Sequence, residues 1–191
     1  MKSRYIPITQ QQYCCAPACL QMVMQRLDVP MIEQEDIAYE MGLAVPKEEA
    51  HLFKRVRSTS LPSKSWGTRN HTKRYCIDNA FNRLNVPIKA RYYLSEDIIS
   101  IADLKQMLED LQVEGVDILI AFSYHELWGG DGNTSHVCVF NSIEGTKVHL
   151  IDPDQDVPKY RTVYVKDLFR AIKVHENLTN SGLWLIERSD R

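Results

Sequence analysis

The sequence predicts an α+β fold in which N-terminal helices pack on a C-terminal antiparallel sheet. Helical apolar spacing marks the first half of the chain, and β-rich runs fill the last third. Two of those runs flank a glycine-bearing turn of the hairpin kind. At 191 residues the chain reads as one domain, 1–191, long enough to bury a real core.

The elements follow in order. Tyr5-Ile6-Pro7-Ile8 reads as a short extended entry. Pro17 suits the first turn of a helix, where its missing N–H costs nothing. Leu20, Val23, Met24 and Leu27 then keep an i, i+3, i+4, i+7 stripe that ends before Asp28-Val29-Pro30. A second helix is expected over 32–41, stopped by Gly42. Residues 45–70, with Pro46, Pro62 and the polar run Arg57-Ser58-Thr59-Ser60, read as a loop or lid crossing the surface. A helix over 72–84 leads to an extended segment at 86–93. Leu104, Met107, Leu108 and Leu111 mark an amphipathic helix, and 117–122 is a short, fully buried strand. Strands at 136–141, 147–152, 161–165 and 183–187 complete the chain, with one short helix at 166–172 among them. No internal repeat or low-complexity stretch interrupts this order.

Composition narrows the function classes. The chain is 44% hydrophobic and 25% charged, as ordinary soluble globular proteins are. A net charge of −2 gives no electrostatic case for nucleic acid or an anionic membrane. No run approaches the roughly 18 apolar residues of a membrane span, and Met1-Lys2-Ser3-Arg4 leads into no apolar signal region. A cytoplasmic location is therefore expected. The five cysteines, 14, 15, 19, 76 and 138, are odd in number and irregularly spaced. In a cytosolic chain they read as buried or reactive thiols rather than structural disulfides. The sequons at Asn70, Asn133 and Asn177 carry little weight without a secretory signal.

Two distant fragments bear the chemistry. The first is Gln10-Gln11-Gln12-Tyr13-Cys14-Cys15-Ala16-Pro17-Ala18-Cys19. A cysteine is a nucleophile as thiolate, and a helix N-terminus favours the thiolate through its unpaired N–H groups and dipole. Cys15, two residues before Pro17, sits at or beside the N-cap. Cys14 lies one position further out, and Cys19 lies a turn inside, where it packs as a small hydrophobe.

The second fragment runs from His136-Val137-Cys138-Val139-Phe140 to Val148-His149-Leu150-Ile151-Asp152-Pro153. Read as a three-residue loop, Ile143-Glu144-Gly145 pairs Ser142 with Thr146, and counting back sets His136 opposite Asp152. Every intermediate pair has an apolar member. An aspartate beside one imidazole nitrogen orients the ring and leaves the other nitrogen for a thiol. The glycine-rich stretch 128–135 could approach a substrate backbone closely. Trp66, Trp128 and Tyr124 are candidates to line a cleft, although scattered aromatics are more often core.

Cys15-Ala16-Pro17-Ala18-Cys19-Leu20-Gln21-Met22-Val23 resembles the Cys-Gly-Pro-Ala-x-Leu-x-Met signature of papain-like cysteine peptidases, in the branch of bacteriocin-processing, double-glycine leader peptidases. The His136-hydrophobic strand and the Asp152-Pro153 pair sixteen residues on are similar to that branch as well. The resemblance covers most of the chain, residues 45–75 excepted. It implies a papain-like fold, Cys15 as nucleophile, His136 as general base and then acid, and Asp152 as the orienting group, with no cofactor. It also implies an oxyanion-hole glutamine shortly before the cysteine, working with the Cys15 backbone N–H. Gln10 is the first choice and Gln11 the second, while papain-like spacing of six lands on Thr9. The usual glycine after the nucleophile is Ala16 here, and a leader-peptide substrate is not implied.

These readings give a thiol-dependent hydrolase acting on a peptide or protein substrate. An amine acceptor in place of water would make it an acyl transferase of transglutaminase or phytochelatin-synthase type. A non-catalytic peptide-binding module and a metal-binding protein using Cys14, Cys15, Cys19 and Cys138 are the competing classes.

Overall fold

The computed structural model describes residues 3–60, 66–129, 134–155, 157, 159–174 and 180–189. Among the described residues are six helices, α1 (Cys15–Arg26), α2 (Gln34–Glu40), α3 (Ile77–Arg83), α4 (Ile101–Glu114), α5 (Tyr124–Trp128) and α6 (Val165–Val174), and six strands. The strands are β1 (Ile88–Leu94), β2 (Asp117–Ser123), β3 (Ser135–Glu144), β4 (Lys147–Ile151), β5 (Tyr160–Tyr164) and β6 (Gly182–Arg188). They form one antiparallel sheet in the order β1-β6-β2-β3-β4-β5. The α+β reading holds, and the structure adds a layer to it. Helices α1, α2 and α3 cover one face through Leu20, Val23, Ile37 and Phe81. Helices α4 and α6 cover the other through Leu104, Leu108, Leu168 and Ile172. With both faces covered, β2 is buried at every position, as its unbroken apolar run requires.

Local differences from the sequence reading have local causes. The expected helix at 72–84 is a single 3-10 turn, Lys73–Tyr75, and then α3, because the backbone of Cys76 turns extended between them. Helix α5 follows β2 directly and is capped by Ser123, whose hydroxyl accepts from the Glu126 N–H. Its five residues are too few to show a period. Of residues 45–70, the described part includes a 3-10 segment, Lys47–Leu52, and Ala44 forms isolated bridges with Ser58 and Gly67. Among the described residues no helix is long and apolar enough to cross a membrane.

The β3–β4 hairpin departs from the predicted register. Gly145 and Thr146 form a two-residue turn closing on Glu144 and Lys147, with Gly145 at φ +61°. A bulge between Phe140 and Ser142 then returns one residue, and Val139 pairs with Ile151. Beyond the bulge the ladder is two residues out of the predicted pairing. Counting on, Cys138 rather than His136 stands opposite Asp152. His136 becomes the diagonal neighbour, still on the same face.

Candidate active site

Helix α1 begins at Cys15, with Cys14 as N-cap and no side-chain cap on its first N–H groups. The preceding turn is closed by the Cys14 N–H on the Gln11 carbonyl at 2.9 Å. Within it Tyr13 takes φ +61°, a conformation rare outside glycine. The 3-10 segment holds that conformation in place. Glu49 accepts from the Tyr13 hydroxyl at 3.0 Å and from the Gln12 amide at 2.6 Å, and Phe53 packs against the Tyr13 ring.

This turn sends the two adjacent cysteines in opposite directions. Cys14 is buried with Ala38, Leu43 and Val45, and burial pushes its thiol up to about 12. Cys15 stays partly exposed and lines a cavity of about 350 Å³. Cys19 is buried and donates to the Val137 carbonyl at 3.3 Å, joining α1 to β3. Cys76 lies elsewhere and bonds the Lys73 carbonyl.

His136 enters the same cavity from the start of β3, and its Nε2 lies 2.8 Å from Asp152 Oδ1. A carboxylate only accepts, so the imidazole donates here and keeps Nδ1 for another partner. Asp152 has left the sheet ladder, and its own N–H bonds the Lys159 carbonyl. Its carboxylate is fully buried and takes two further donors, the Asp154 N–H at 3.0 Å and Arg161 Nη1 at 3.2 Å. The Arg161 guanidinium in turn lies 3.5 Å from the centre of the Trp128 ring. Phe122, Tyr124 and Trp128 surround the imidazole edge-on, with centroids 5.3–5.9 Å away.

That enclosure sets the electrostatics. Burial by itself drives His136 towards its neutral form, but Cys138, the Asp152 hydrogen bond and the Cys15 thiol outweigh it. The ring titrates well above its ordinary value. Burial also pushes the Cys138 thiol up to about 12. The Asp152 carboxylate, 2.8 Å from Nε2, is the carboxylate that faces the imidazolium. Burial opposes ionisation of Asp152, but His136, the Asp154 N–H and Arg161 hold it below the usual carboxylate range.

Gln10 completes the constellation. Its N–H donates to the Pro153 carbonyl at 2.7 Å, tying the nucleophile segment to the loop that carries Asp152. Its side chain lines the cavity, and its Oε1 is buried without a hydrogen-bond partner among the described residues. Gln11 is exposed and does not line this cavity, and its N–H bonds Gln34. The exposed Thr9 offers its carbonyl to Gln34.

The structure thus brings Cys15, His136 and Gln10 to one cavity, with Asp152 behind the imidazole. Trp66 and Tyr124 line the cavity, whereas Trp128 backs the imidazole instead. Residues 130–133 of the glycine-rich stretch lie outside the described residues, as do the sequon positions Asn133 and Asn177. Asn70, the third sequon position, is buried and lines the cavity. The cysteine quartet of the competing metal-binding reading does not assemble, since Cys14 faces a separate cluster. The metal-competent group is instead His136, Cys138 and Asp152. Sequence reading missed Arg161, Trp184 and Asn70, which meet the site only through tertiary packing. Cys138 had a signal, because strand alternation already set it on the His136 face.

A thiol at a helix N-terminus, facing an imidazole–carboxylate pair on an antiparallel sheet, defines the papain-like class of folds. Solved structures agree. A C39-peptidase-like protein from Bacillus anthracis superposes with a TM-score of 0.60 at 15% identity, covering 97% of this chain and 96% of that one. A double-glycine motif protease from an AMS/PCAT transporter, solved with its leader peptide, gives a TM-score of 0.53 at 14% identity over 98% and 94%. The peptidase domain of Streptococcus ComA, a bifunctional ABC transporter of a quorum-sensing pathway, gives 0.54 at 13% identity over the full length of both chains. The chain has the fold of C39-like peptidases. No protein-family model matches the sequence, and no curated protein does.

Proposed function

We propose that the chain is a thiol hydrolase of peptide or amide bonds, acting through an acyl-enzyme on a peptide or protein substrate. The observation that carries this is the junction of Cys15, an imidazole braced by a buried carboxylate, and Gln10 in one cavity. Cys15 Sγ attacks the carbonyl carbon, and the thiol proton resides on His136 Nδ1. The tetrahedral oxyanion is received by the Gln10 side-chain amide and the Cys15 backbone N–H. His136 then protonates the departing amine, leaving a thioester. Water attacks the thioester with His136 as base, releasing the acid and restoring the thiol. Asp152 stays ionised throughout and holds the ring by Nε2. The leader peptide bound to a structural neighbour supports a peptide as substrate class.

Iodoacetamide labelling with peptide mapping tests the reading. Below pH 7, Cys15 is expected to be modified well before Cys14, Cys19, Cys76 and Cys138, and His136→Ala is expected to abolish that advantage. Labelling of Cys15 no faster than Cys76, with no response to His136→Ala, would sink it.

A further inference from the structure

Cys138 has no part in this mechanism. It is fully buried on β3, two residues beyond His136 and on the same face. One donor atom from each of His136, Cys138 and Asp152 lies within 4.8 Å of the other two, and all three residues are buried. We infer that these three side chains form a binding site for a thiophilic divalent cation, Zn²⁺, that replaces the proton between His136 and Asp152 and switches off the imidazole as a base.

The donor set selects the ion. One thiolate, one imidazole and one carboxylate suit zinc, whereas magnesium and calcium take oxygen ligands. Tetrahedral zinc, with bonds of roughly 2.0–2.3 Å, sets its donor atoms roughly 3.4–3.6 Å apart. The His136–Asp152 separation of 2.8 Å must widen only slightly to admit it. The outer contacts are already in place. Arg161 holds Asp152 Oδ2, and the Asp154 N–H fixes the carboxylate from Oδ1. With three protein donors, the fourth position falls to water.

On binding, a Zn–S bond and a Zn–N bond form while the Cys138 S–H bond and the Nε2–H bond of the His136 imidazolium break. Both protons pass to solvent, and no oxidant or reductant is involved. The neutral imidazole that remains, bound through Nε2 and protonated on Nδ1, cannot take the proton of the water that must attack the thioester. Zinc would therefore inhibit from behind the imidazole, leaving the nucleophile uncapped.

Cobalt(II) titration of the full chain tests this without requiring turnover. Wild type and Cys15→Ser are expected to develop a cysteinate-to-cobalt charge-transfer band saturating at one equivalent and abolished by Zn²⁺. Cys138→Val and Cys138→Ser are expected to lack the band and to hold zinc about 100-fold more weakly or worse. Circular dichroism confirms folding, and the nearly isosteric serine variant covers the case in which valine does not pack. No band in wild type, a band lost in Cys15→Ser, or one surviving both Cys138 substitutions would overturn the site. If the band follows Cys138 while Cys15 labels no faster than Cys76, the enzymatic reading falls and the metal site stands.

Discussion

Asp152→Asn probes the electrostatics of the site most directly. Three donors converge on the buried carboxylate, from His136 at 2.8 Å, the Asp154 N–H at 3.0 Å and Arg161 at 3.2 Å. Asparagine has the same shape but offers one acceptor oxygen and an NH₂, so at least one donor must face another donor. A lost charged hydrogen bond costs about 1.5–3 kcal/mol, and breaking a buried ion pair costs about 3–5 kcal/mol. Arg161 keeps a side-chain exposure of 20%, so water can serve it and the upper figure is discounted. The expected destabilisation is about 2–4 kcal/mol, a fall in thermal midpoint of about 4–16 °C for a chain of this size. Without the carboxylate the imidazolium also loses its counter-charge. Each unit by which His136 then drops towards its ordinary value is worth about tenfold in the thiolate it can support. Thermal unfolding and the pH profile of Cys15 alkylation read the two effects separately. A midpoint and profile identical to wild type would refute the account. A lowered midpoint with an unmoved profile would reduce Asp152 to a structural residue.

Two further outcomes are expected. Gln10→Ala should lower kcat/KM by about 100- to 1,000-fold with the fold intact, as loss of an oxyanion donor does. Gln11→Ala, with its side chain outside the cavity, should stay within about threefold, and equal losses at both would reassign the donor. The thermal midpoint should fall at both ends of the pH range. His136 is raised in the folded state, so its contribution is complete below its ordinary 6.5 and is lost as pH rises through the higher folded value. Asp152 is lowered, so its contribution is present above its ordinary 3.8 and is lost as pH falls through the folded value. A His136→Gln profile that keeps the alkaline loss of wild type would assign that loss to another group.

The helices were legible where one face repeats. The stripe of Leu20, Val23 and Met24 on α1 is buried to the last atom, and the α4 stripe sits on the far side of the sheet. Residues 45–70 were not legible, because what orders them is remote in sequence. Glu49 serves the Tyr13 turn, and Leu43 and Val45 enclose Cys14. The same remoteness hid Arg161, whose partners Asp152 and Trp128 lie on other elements. A charge at the second position of an edge strand carries no signal of its own. Cys15 was separable from Cys14 in sequence because Pro17 fixes where the helix starts, and one residue of rotation decides between cavity and core.

The hairpin shows which part of a register matters for chemistry. Reading Ile143-Glu144-Gly145 as a three-residue loop misplaced the turn, and the bulge at Asn141 was invisible because no residue there demands it. Yet the errors combine to an even shift, and an even shift leaves every side chain on its own face. His136 and Asp152 meet as diagonal neighbours, a distance an imidazole spans. The true register has a further consequence, since it sets Cys138 opposite Asp152 and brings a third donor to the pair. Asp152 itself is positioned by its bond to Lys159 beyond the end of the ladder. The site therefore depends on strand parity and on the hairpin ending at Ile151, and it tolerates register change in steps of two. A single-residue deletion between the bulge and His136, of Val139 for example, would shift the register by one and turn the His136 face away from Asp152. Loss of the Cys15 alkylation advantage with the hairpin still formed would be its signature.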